Sequence, residues 1–82
     1  MENLFFQDRI EQLQTRLTTL EPSVARARQS VQRLETEQVP AGATAQARAA
    51  RLAAARAMAA TLEERERQIR VALRALDAEL AV

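Results

Sequence analysis

Apolar residues recur through the first half of the chain at Phe6, Ile10, Leu13, Leu17, Leu20, Val24, Ala27, Val31 and Leu34. The steps alternate four and three without a slip, which is the heptad spacing of a coiled-coil face. The second half keeps the rhythm through Leu52, Ala55, Ala59, Leu62, Glu66, Ile69, Leu73, Leu76 and Leu80. Between the two runs lies Val39-Pro40-Ala41-Gly42-Ala43-Thr44, the one strong turn signal in the chain. The pattern predicts an all-α fold, a single antiparallel two-helix coiled-coil hairpin spanning residues 1–82. Folding back at the turn sets Val31 near Leu52, Val24 near Ala59, Leu13 near Ile69 and Phe6 near Leu76.

The first helix is expected from about residue 4 to about residue 37, with Asn3 as its N-cap. Pro22 removes one backbone N–H and crowds the carbonyl of Thr18, so a kink is expected there. The seam keeps its phase from Leu20 to Val24, and Pro22 falls on the outer side of the heptad. A continuous kinked helix is therefore expected rather than two helices. Val39 precedes a proline and is pushed away from helical geometry, while Gly42 supplies freedom to turn within a loop at about 38–43. Thr44 is suited to cap the second helix, expected over about 44–81 and so rich in alanine at Ala45 to Ala60 that propensity alone nearly specifies it. Glu2 to Gln7 resembles the recognition sequence of a potyviral protease, with Phe5 and Asp8 departing from it. Phe6 is already in phase with the seam, so the stretch reads as part of the first helix.

Composition agrees with long helices. Alanine, leucine, glutamine, glutamate and arginine dominate the 82 residues, and aromatic residues make up 2%. Twelve basic and eleven acidic residues leave a formal net charge of +1, too small for a strong long-range field. Every basic side chain is arginine. There is no cysteine, no apolar run of membrane-spanning length and no signal-peptide pattern at the start of the chain. A cytoplasmic location is the expectation.

Catalytic chemistry has little to draw on. Histidine, cysteine, lysine, tyrosine and tryptophan are all missing, which removes the usual general bases, thiol nucleophiles and Schiff-base amines. Glu63, Glu64 and Glu66 form the densest acidic cluster, yet they do not converge on one helical face. They read instead as surface pairs, Glu63 with Arg67 and Glu66 with Arg70, in the favourable i,i+4 order. No glycine-rich loop exists to hold a phosphate. Neither an enzyme, a metal site nor a cofactor is expected.

Two polar residues sit on the seam. Glu66 falls opposite Leu17, where its stem is expected to pack while its carboxylate reaches Arg70 or solvent. A polar group at such a position can also set register or oligomeric state. Arg48 falls opposite Leu34 near the open end of the hairpin, where it is expected to be solvated. Arg56, Arg67, Arg70 and Arg74 fall along one side of the second helix. Acids interrupt them and no nucleic-acid-binding motif is present, so a solvated face is expected and nucleic acid is a minor alternative.

A two-helix hairpin shields one side of each helix and at this size needs a second layer, either its own copy or another protein. Leu4, Phe5, Met58, Val71 and Val82 are large apolar residues off the seam and are the candidate partner-binding positions. Single exposed apolar side chains are also common on any surface. The expected function is a non-enzymatic interaction module, a helical-hairpin adaptor or structural protein that forms a four-helix bundle as a homodimer or packs onto another helical protein. Small helical-hairpin co-chaperones of bacterial type III secretion needle subunits are similar in length and shape, with no shared motif. That likeness implies a co-chaperone, or a phage-type inhibitor, that masks a helical partner.

Overall fold

The computed structural model describes residues 2–37 and 44–81. It consists of two helices, α1 (Glu2–Thr36) and α2 (Ala45–Leu80), packed against each other as a hairpin. Val39, Pro40 and Gly42, expected to make the turn, lie outside the described residues, as does Val82. The molecule is a rod of 64 × 15 × 14 Å.

Three ion pairs between the helices fix their direction. Glu21 faces Arg70, Arg28 faces Glu63 and Glu35 faces Arg56. Each heptad forward along α1 meets one heptad back along α2, as an antiparallel pair requires. Burial follows the same phase. Every described residue of the two apolar runs is buried or half-buried, and beside them the half-buried residues are Ser23, Ser30, Arg48, Glu63 and Ala72. Leu13, Val24, Ala27 and Ala59 form the buried core, so the centre of the rod is built largely from small side chains. Small side chains at Ala27 and Ala59 leave room for the two backbones to approach there.

α1 runs through Pro22 as one helix, with the proline ring on the exposed side. Just before it, the hydroxyls of Thr15, Thr18 and Thr19 donate to the carbonyls one turn back, at Glu11, Gln14 and Thr15, over 2.9–3.0 Å. Such back-bonding competes with the helical ladder and often bends it. α1 starts at Glu2, so Asn3 lies inside the helix and is not its cap. Thr44 does cap α2: its backbone is extended and its hydroxyl accepts from the Ala47 N–H at 3.0 Å.

Arg48 differs from expectation. Instead of reaching into solvent it is half-buried, and its Nη2 donates to the backbone carbonyls of Leu34, Glu35 and Glu37. The bond to Glu37 is the short one, at 2.7 Å, against 3.4 Å for the other two. The last carbonyls of a helix have no intrahelical donor and carry the negative end of its dipole. A guanidinium arriving from the returning helix supplies both a donor and a positive charge there. Arg48 is therefore a cap for α1 delivered by α2. Replacing Arg48 with alanine should destabilise the hairpin by about 1–2 kcal/mol, read as a fall in thermal midpoint. An unchanged midpoint would show that solvent satisfies those carbonyls equally well.

Candidate interaction surface

Numbering the seam as a heptad puts Ile10, Leu17, Val24 and Val31 at a positions and Leu13, Leu20, Ala27 and Leu34 at d positions. On α2, Leu52, Ala59, Glu66 and Leu73 take a, and Arg48, Ala55, Leu62 and Ile69 take d. The residues after each d position and those before each a position then lie on opposite flanks of the hairpin. These two flanks are chemically different.

The first flank holds the ladder. Arg28 Nε donates to Glu63 Oε1 at 2.7 Å, and Arg56 Nη2 to Glu35 Oε1 at 3.1 Å. Arg70 lies 3.7 Å from Glu21 and 3.8 Å from Glu66, so it holds two carboxylates at once. Charges alternate along each helix, and only one alignment brings every rung together. The hydrogen bond to Glu63 and that carboxylate's charge raise the pKa of Arg28 above its ordinary value. These partners are 42–59% exposed, so the ladder acts on register more than on total stability. Glu63 belongs to this interhelical set and not, as its spacing suggested, to Arg67. Arg67 pairs instead with Glu64, whose pKa its hydrogen bond lowers. Glu66 keeps its stem in the seam, with a side chain 16% exposed and its carboxylate turned to Arg70. The sequence-level stripe of Arg56, Arg67, Arg70 and Arg74 is thus mostly consumed by carboxylates.

The second flank is open. It carries Arg9, Arg16, Ser23 and Ser30 from α1, and Arg51, Met58, Arg65, Ala72 and, toward its end, Glu79 from α2. Small residues here leave the seam uncovered from the side. A groove of about 620 Å³ results, with Leu13, Leu20 and Ile69 in its lining and Arg9, Arg16 and Arg65 at its edges. No carboxylate lines it. Among the described residues, none of those three arginines forms an ion pair.

The partner-binding candidates are scattered over this framework. Leu4 and Phe5 are each 70% exposed in the first turn of α1, where the Phe5 and Phe6 rings meet edge to face at 5.9 Å. Met58 is 64% exposed on the open flank, and Val71 is 51% exposed on the outer side of α2. Thirteen residues of helix, about 20 Å, separate Met58 from Val71, so these positions do not form one patch. Among the described residues there is no group of three metal-ligating side chains and no helix long and apolar enough to cross a membrane. Comparison with known protein families, with curated proteins and with solved structures finds no match to the chain.

The ladder can be checked by exchanging charges. Arg28→Glu or Glu63→Arg alone should lower the thermal midpoint by placing like charges on facing rungs. The double exchange, Arg28→Glu with Glu63→Arg, should recover most of the loss. Three variants with the same midpoint would remove the ladder as a register device.

Proposed function

We propose that the chain is a non-enzymatic protein–protein interaction module, a helical hairpin that acts by accepting a second helical layer from its own copy or from another helical protein. The observation that carries this reading is how little of the hairpin is covered. Its accessible surface is 6453 Å². A compact monomer of its 9.1 kDa mass exposes about 4,900 Å². The surplus, about 1,500 Å², compares with the roughly 800 Å² that each partner buries in a standard interface. The radius of gyration points the same way, 18.6 Å against about 12 Å for a compact domain of this length.

The lack of histidine, cysteine and lysine in the sequence, which leaves Ser23 and Ser30 without a histidine partner, supports a binding role over a catalytic one. Masking a helical partner is what a secretion co-chaperone and a phage-type inhibitor have in common, and the hairpin offers the means for either. A nucleic-acid-associated bundle receives less support, because Arg56, Arg67 and Arg70 are engaged by carboxylates.

Light scattering on a sizing column, from low-micromolar to near-millimolar concentration, tests this reading together with helicity. A helical dimer whose melting point rises with concentration would identify the second layer as the chain's own copy. A monomer with weak, broad melting would identify it as a different protein. A monomer that melts sharply at a concentration-independent temperature would overturn the proposal.

A further inference from the structure

We infer that the open flank is a docking groove for an amphipathic helix from another protein, one whose apolar stripe is bordered by carboxylates. This deepens the reading of the chain as an interaction module and rests on it. The argument starts from the difference between the flanks. One is zipped by ion pairs of alternating sign, and its charges satisfy each other. On the other, Ser23 and Ala72 leave the half-buried Leu20 and Ile69 open along a trough floored by the buried Leu13, and Arg9, Arg16 and Arg65 stand at its edges without carboxylates in the lining.

Arg9 and Arg16 belong to α1 and Arg65 to α2, so positive charge stands on both sides of the trough. An apolar stripe with acids along both borders is the matching shape, the helix-in-groove mode of recognition with charges choosing the partner. A second copy presenting the same flank would set arginines against arginines. A nucleic acid would find the arginines but would leave the apolar floor at Leu20 and Ile69 unused. The apolar floor with a one-sign rim therefore favours an acidic helix over both.

The test uses the full chain and synthetic helical peptides with leucine at a and d positions. One peptide carries glutamate at e and g, a second lysine there, and a third keeps glutamate but has serine in place of leucine. The glutamate–leucine peptide should bind at least tenfold more tightly than either of the others, and more tightly than random-sequence duplex DNA. Arg16→Glu with Arg65→Glu should reverse the preference between glutamate and lysine, while Arg74→Glu, on the ladder side, should leave it unchanged. Circular dichroism on each variant confirms that the hairpin is still formed. Equal binding of the glutamate and lysine peptides, equal binding of the serine peptide, tighter binding of DNA, or an unaltered preference in the double variant would each overturn the assignment. So would a stable dimer that buries the groove, although that result would leave the broader reading of a second helical layer standing.

Discussion

The structure depends on one geometric constraint: two helices can cover only one stripe of each other. Every heptad places two residues against the partner helix and leaves five facing outward or sideways. In this chain the consequence is plain, since among the described residues only Leu13, Val24, Ala27 and Ala59 are buried. Larger seam residues such as Leu20, Leu62, Ile69 and Leu73 are half-covered. The hydrophobic term is therefore only partly realised within one chain, and the remainder is available to whatever packs on the side.

Polar contacts then decide what the apolar seam leaves open. A row of leucines and alanines would tolerate a slip of one heptad. The ladder of Glu21, Arg28 and Glu35 with Arg70, Glu63 and Arg56 does not, because a slipped register brings like charges together. Arg48 adds a stop at the turn end by capping the carbonyls of α1. The ladder lies on one side of the seam, and Arg48 on the seam itself at its turn end. That arrangement leaves the serine-bearing flank as the accessible one, and it is the flank with charge of a single sign at its groove.

The hairpin was legible in the sequence because heptad spacing is local and each run is long. Thr44 as a cap was legible for the same reason, since its partner is three residues away. What escaped the sequence were the polar contacts that join distant segments. Arg48 reads as a solvated residue until the return of α2 carries it to the end of α1. Glu63 has Arg67 at i+4 and looks locally paired, yet Arg28 across the seam takes it. The arginines that matter to the open groove are divided between α1 and α2, so no linear stripe announces them, whereas Arg56, Arg67 and Arg70 form a visible stripe and prove to be engaged. The asymmetry between flanks could have been found by drawing both helices in one heptad register and comparing the residues after d with those before a.

We propose that the hairpin is half of a core, marginally stable until a second helical layer covers it. Amide hydrogen exchange on the chain, diluted until its mass is that of a monomer, tests it most directly. The account predicts that even the amides around Val24, Ala27 and Ala59 open with a free energy below about 3 kcal/mol, well under that of an ordinary domain. Opening free energies above about 5 kcal/mol in the monomer, spread over both helices, would mean that one chain is complete in itself and would contradict the account.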